Sequence, residues 1–588
     1  MQLAEITFPA FGLSDQAILV LIVALAIGLV PALTLAWVFE ITPEGIKRER
    51  DLDRAGDLAR RTNNFLDRLI IVLLALGVTY LAFDKFLLDP VRDEARIEAA
   101  REKGRAEASG RVYGEKSIVV LPFINLSGDP EQEYFSDGMS EQLLELLSRI
   151  PELRVISRAS AFSFKGKNVG MQEIADQLSV SHVLDGSVRL AGDQVRITAQ
   201  LIDAQADANI WSQKYDRPID DIFAIQDEIA AIVVQELKVK LLQQTPTVQH
   251  TKPEAFALYL QARQLSRSGT EEAYQRSSEL YQESLSIDPN YAAAWNGLAV
   301  NYFKQFSRGI RYFDDGYGRA REAARKALDA DPAYSPAFAT LGLIAMDDAN
   351  DLVEAARHFE RALELAPHDL EIIRHVVVLL QGLGRLDEAI ALGQYAIGRD
   401  PVNAPNYANL GNSYRWSRRP EEAISAYRAA LRLSPDLGAA QSFIGIALLA
   451  QGRHPEALES MEREPFEPYR LIGLTMVYHS LGEAAKSDAV LAQLIEKYGH
   501  EWAYNIAYVH AWRGDTEGVF QWLDNAVAFA DPGLSLIVAE PQFAPVHDDP
   551  RWAAFMERLG KSPRQLAAVV FETGLKDQAA TGRLSGTD

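Results

Sequence analysis

The feature that most restricts this chain of 588 residues is a proline that recurs through its second half. Pro289, Pro332, Pro367, Pro401 and Pro435 stand 43, 35, 34 and 34 residues apart. Proline ends a helix because it has no N–H to donate and its ring strikes the preceding turn. Stops about 34 residues apart leave room for two short helices and a turn, a unit that cannot bury its apolar face alone. Such units hold only when stacked, so residues 253–560 are expected to form an all-α solenoid of about eight helical pairs.

The unit NYANLGNSYRWSRRPEEAISAYRAALRLSP displays the chemistry most fully. Gly411 and Ala423 are small where paired helices cross closely, and Tyr407, Leu410, Tyr414, Tyr427 and Ala430 fill the space between units. These positions resemble the tetratricopeptide (TPR) signature. Weaker copies run through Trp295 and Leu298, Gly342 and Phe359, Ala389 and Ala396, Gly445 and Ala457, Gly473, and Ala507 and Ala526. The second copy carries extra residues near FSRGIRYFDDGYG, which explain the longer first interval. A TPR superhelix lines its concave face with the first helix of each unit and takes an extended peptide or a partner's helix there. The inward candidates are Ala408, Asn412, Arg415 and Trp416 in the best unit, and by the same offset Asn296, Arg374, Tyr504 and Tyr508 in others. Asn and Arg hold a peptide backbone or carboxylate, and aromatic rings supply anchor area. The plainer reading, that they solvate or pack the helix surface, stands beside this one.

Upstream, two apolar runs are read as transmembrane helices, 17–39 and 69–88, because each approaches the roughly 20 residues that one bilayer crossing requires. A tail of residues 1–16 precedes them, a basic connector (40–68) joins them, and a charged helical stalk (89–114) follows. The connector carries Lys47, Arg48, Arg50, Arg54, Arg60, Arg61 and Arg68. The positive-inside rule therefore places it in the cytoplasm, and the folded domains of a multi-pass bacterial inner-membrane protein in the periplasm, the cytoplasm being the alternative.

Residues 115–244 read as a small α/β domain. SIVVLPF is a buried strand, EYFSDGMSEQLLELLSRI a helix with Met139, Leu143, Leu146, Leu147 and Ile150 on one face, and LRVISR a second strand. Strong alternation on both sides of Gly192 and Asp193 marks a hairpin, NIWSQKY adds a strand, and residues 219–242 form an amphipathic helix. The strings SIVVLPFINLSGDPEQEYFSDGMSEQLLELLSRI, LRVISRASAFSFKGK, HVLDGSVRLAGDQVRITAQLIDA and DIFAIQDEIA resemble the TolB amino-terminal-like (FlgO-like) domain. That resemblance implies a bacterial inner-membrane TPR protein of a group often labelled adenylate cyclase-like. Here only sixteen residues precede the first apolar run, so the resemblance brings no cyclase domain with it.

Chemistry is harder to find. Cysteine is absent, which removes disulfides, thiolate nucleophiles and cysteine-held metals. The net charge of -22 repels phosphate backbones, so nucleic acid is not expected as a partner. No HExxH, GxxxxGK[ST] or GxSxG string occurs. Asp129, Glu131, Glu133 and Asp137 form an acidic loop whose alternating carboxylates suit a cation, but SGDPE is turn chemistry and Ser136 or Asp137 suits a helix cap. No catalytic residue, cofactor or metal is assigned. The expectation is a membrane-anchored, non-enzymatic scaffold that binds protein through the TPR groove. Its alternatives are a regulator whose TolB-like domain senses a small ligand, and, disfavoured, a nucleotide cyclase-related activity. Residues 561–588 are read as a tail.

Overall fold

The computed structural model describes residues 39–42, 45–48, 116–150, 152–204, 206–239, 249–307, 316–348 and 350–573. The chain divides into two compact units, 1–110 and 111–588. In the first, β1 (Phe39–Thr42) pairs antiparallel with β2 (Gly45–Arg48). The expectation of two transmembrane helices is corrected: among the described residues no helix is long and apolar enough to cross a membrane. Both runs, 17–39 and 69–88, lie outside the described residues except for Phe39, which stands in a strand. The multi-pass inner-membrane placement is withdrawn with them. It rested on run length, the basic connector and the family resemblance, and the second run has only fifteen residues, Leu69–Phe83, before Asp84 and Lys85 interrupt it.

The second unit opens with a sheet ordered β5-β3-β6-β7-β8, formed by β3 (Ser117–Val120), β5 (Arg154–Val155), β6 (His182–Ala191), β7 (Gln194–Asp203) and β8 (Ala208–Pro218), with β4 (Ile124–Asn125) also on β6. β3 runs parallel to β5 and β6, whereas β6, β7 and β8 form an antiparallel meander. The turn between β6 and β7 needs Gly192, which takes φ 62°. A strand sandwiched between helices must be apolar on both faces, and β3 is buried throughout. Ile118 and Val120 join α1 (Glu133–Ser148) and α4 (Ile222–Glu236) on one side. Val119 faces α2 (Arg158–Phe162) and α3 (Met171–Leu178) on the other.

Eight antiparallel helix pairs follow among the described residues: α5 (Pro253–Leu265) with α6 (Glu271–Ile287), α7 (Ala292–Ser307) with α8 (Gly316–Ala330), α9 (Ser335–Asp347) with α10 (Leu352–Leu365), α11 (Leu370–Gly382) with α12 (Leu386–Arg399), α13 (Ala404–Trp416) with α14 (Pro420–Leu433), α15 (Ala440–Ala450) with α16 (His454–Glu462), α17 (Glu467–Ser480) with α18 (Ala484–Tyr498), and α19 (Ala503–Trp512) with α20 (Thr516–Ala528). Each of Pro289, Pro332, Pro367, Pro401 and Pro435 falls two residues past a helix end. Inserted residues 308–315 lie outside the described residues. Beyond α20, two 3-10 turns (Pro532–Leu536 and Pro541–Val546) lead to α21 (Pro550–Arg558) and α22 (Pro563–Ala567).

The α/β portion and the repeats share one core. The apolar cluster that includes Ile118, Leu143 and Ile229 continues without a break through Phe256, Tyr281 and Leu298 to Leu341. A second seam joins the sheet edge to the fourth and fifth pairs. There the Arg154 guanidinium donates to the Arg399 carbonyl at 3.0 Å, and Ser160 Oγ donates to the buried Asp400 carboxylate at 2.6 Å.

Candidate functional site

The inner face of the array is built by the first helix of each pair, and the chain's own C-terminal segment lies on it. The first 3-10 turn, Pro532–Leu536, packs against α9, α11 and α19, and the second, Pro541–Val546, against α19. Between the turns stands Glu540, buried to 4% exposure and 125 residues beyond Arg415. Arg415, 7% exposed, donates two hydrogen bonds to its carboxylate, at 3.0 and 3.2 Å. Trp416 Nε1 adds a third at 3.1 Å. The guanidinium also lies 4.9 Å from the Phe443 ring centre, so its remaining surface meets an aromatic face. Burial works against the Arg415 charge, but the Glu540 carboxylate outweighs it and raises the arginine's pKa further. Tyr504 and Tyr508 complete the wall: burial first, then Glu540, pushes both phenols up.

Asp531 fixes where this segment starts. Its carboxylate accepts from the Tyr504 and Gly533 backbone N–H groups, each at 2.9 Å, and burial raises its pKa to about 6. Gly382 marks the closest approach, since a Cβ there would lie 2.9 Å from the Ser535 carbonyl oxygen. Farther along, Lys561 is 1% exposed and donates to that same oxygen at 2.8 Å; burial lowers its pKa to about 7.

Of the eight inward candidates, the structure gathers Arg415, Trp416, Tyr504 and Tyr508 around this segment. The others are spread along the face. Asn296 is buried and accepts from Thr340 Oγ1 at 2.9 Å. Asn412 accepts from Tyr427 Oη at 2.6 Å, and Ala408 packs beside Tyr407 and Ala430. Arg374 is half-buried and pairs with Glu371 at 2.6 Å. Glu540, Asp531 and Lys561 escaped the sequence reading because nothing local distinguishes them from other charged residues near a helix end.

The acidic loop is occupied internally. Asp129 caps the turn Pro130–Gln132 by accepting from Glu131 N–H, and Lys165 binds Glu133 and Asp137 at 2.7 and 2.5 Å. Ser136 and Asp137 are not caps, because α1 already begins at Glu133. Among the described residues no group of three His, Cys, Asp or Glu is placed to hold a metal ion.

A Tetratricopeptide repeat family profile matches residues 409–468, the fifth and sixth pairs. The repeats are tetratricopeptide repeats. The chain is 35% identical over 246 residues to the protein named "Putative adenylate cyclase 3" of Rhizobium meliloti (strain 1021), covering 40% of this chain and 41% of that one. It is 28% identical over 251 residues to "Protein FlbA" of Caulobacter vibrioides, covering 42% and 38%. The chain therefore spans about two fifths of the length of these relatives. Among solved structures it is similar to pilF of Pseudomonas aeruginosa, at 18% identity and a TM-score of 0.30 over 36% of this chain and 93% of that one. It is also similar to YrrB, described as a TPR protein with an unusual peptide-binding site, at 23% identity and 0.24 over 38% and 97%. Scores of that size leave the repeat fold resting on the residues and the matching profile.

Proposed function

We propose that the protein is a non-enzymatic scaffold whose TPR inner face binds segments of partner proteins. The observation that carries this reading is the seating of Asp531–Val546 on the first helices, with the Glu540 carboxylate gripped by Arg415 and Trp416. That face has the donors and the aromatic walls to hold an extended chain bearing a carboxylate. A partner segment docks beside the resident one, where Arg374 and Asn412 retain partial exposure. We further infer, from the strings quoted above, that the α/β portion is of the TolB amino-terminal-like class. The cyclase activity in the Rhizobium protein's name is not carried over, because the shared residues cover only 41% of that protein.

A photo-crosslinking residue in place of Arg374, in the full chain inside cells, tests the reading. Covalent adducts to another polypeptide are expected. Crosslinks confined to the protein's own residues would sink it.

A further inference from the structure

A second cluster of charge lies where the α/β portion meets the first repeat, and the scaffold reading does not use it. Glu141, on α1, is 2% exposed at its side chain. Three guanidinium groups converge on it: Arg158 at the start of α2, Arg263 in the last turn of α5 at 3.2 Å, and Arg267 just past that helix. Glu145 lies 3.9 Å from Arg263, but Arg149 already holds it at 3.0 Å. Four guanidinium groups thus share two carboxylates, in a chain whose net charge is -22.

The stoichiometry is what a purely structural bridge does not require. At Arg415 and Glu540 one guanidinium meets one carboxylate, with side chains only 6% and 3% accessible. In the seam the three arginine side chains remain 31%, 27% and 32% accessible while the carboxylate beneath them is closed off. Each guanidinium carries about five N–H donors, and a carboxylate offers about four lone-pair sites. Beyond Glu141 and Glu145, Arg263 donates to Tyr259 Oη at 3.0 Å and Arg158 lies over the Phe162 ring. Each of the three side chains thus keeps 27–32% of its surface accessible beside the enclosed carboxylate. Burial, together with the repulsion of Arg263 and Arg158, holds Arg267 below the usual arginine range despite Glu141.

We propose that Arg158, Arg263 and Arg267 form a binding site for the phosphoryl group of a small molecule. A tetrahedral dianion matches planar guanidinium forks in geometry and charge, and several arginines around one point select it over a carboxylate. Because Arg158 belongs to the α/β portion and Arg263 and Arg267 to the repeats, an occupant fastens the two together.

The test is thermal unfolding of the full chain against inorganic phosphate, pyrophosphate or adenosine 5′-monophosphate, with ionic strength fixed by potassium chloride. A ligand held only by the folded state raises the midpoint with the logarithm of its concentration. The inorganic and nucleotide arms separate a free phosphate from a phosphate ester. Arg267→Gln is expected to weaken binding about tenfold or more, since it removes a charged hydrogen-bond donor. Arg432→Gln, at an exposed arginine on α14, is expected to leave binding unchanged. Absence of any midpoint rise in the unaltered chain overturns the proposal, as does an equal rise in Arg267→Gln or an equal loss in Arg432→Gln. Should Arg267→Gln fold poorly, Arg158→Gln and phosphorus NMR line broadening at low temperature decide the same question.

Discussion

Arg415 and Glu540 form a buried ion pair in which each partner has lost its water, so removing one strands the other. Arg415→Ala or Glu540→Ala is expected to lower stability by about 3–5 kcal/mol, measured by denaturant unfolding of the full chain. An apolar pair, Arg415→Met with Glu540→Leu, is expected to recover most of that loss, because the desolvation cost disappears with both charges. Lys561 makes the complementary prediction. Its folded pKa, about 7, lies below the ordinary 10.5, so between these values the unfolded chain binds more protons and stability rises with pH. Lys561→Met is expected to flatten that rise and to raise the melting temperature at pH 7. Of the inward candidates, Arg415 and Trp416 bind the Glu540 carboxylate, and Tyr504 and Tyr508 lie near it. What the residues could not announce was that the carboxylate they hold comes from their own chain, 125 positions away.

Helix pairing depends on small residues at fixed places. A Cβ on Gly411 would come within 2.7 Å of the Tyr427 ring, one on Gly342 within 2.8 Å of Phe359, and one on Gly297 within 2.5 Å of Tyr281. In the third and fifth pairs a first-helix glycine lies under the aromatic of its own second helix, whereas Gly297 on α7 meets Tyr281 on α6 of the preceding pair. Gly411→Val is expected to force the helices apart and cost about 1–3 kcal/mol, read as a fall in melting temperature with helical circular dichroism largely kept. This level was the most legible in the sequence, because proline stops and small residues act within one period of about 34 residues. Local chemistry also marked the β6–β7 hairpin through Gly192. The apolar runs near the N-terminus misled for a related reason: length and hydropathy record that a segment avoids water, not what surrounds it.

At the scale of the whole molecule, the sequence reading divides the folded part into an α/β portion, 115–244, and a repeat array, 253–560. In the folded chain one apolar core runs from Ile118 to Leu341 across both portions. Residues 249–588 expressed alone are expected to melt at a lower temperature than the full chain and to bind a hydrophobic dye, because Phe256 and Leu260 lose their cover. Contacts such as Arg399 with the Leu153 carbonyl, 246 residues apart, carry no periodic signature and could be found only in the folded chain. The strap that returns from the eighth pair to α9 and α11 has a mechanical consequence. A row of helix pairs that touch only their neighbours stretches like a coil spring, each turn opening by a little. Here the spring is laced across its own bore, so under tension the lacing at Glu540 and Ser535 must tear before the coil can lengthen, and the array resists extension until it does.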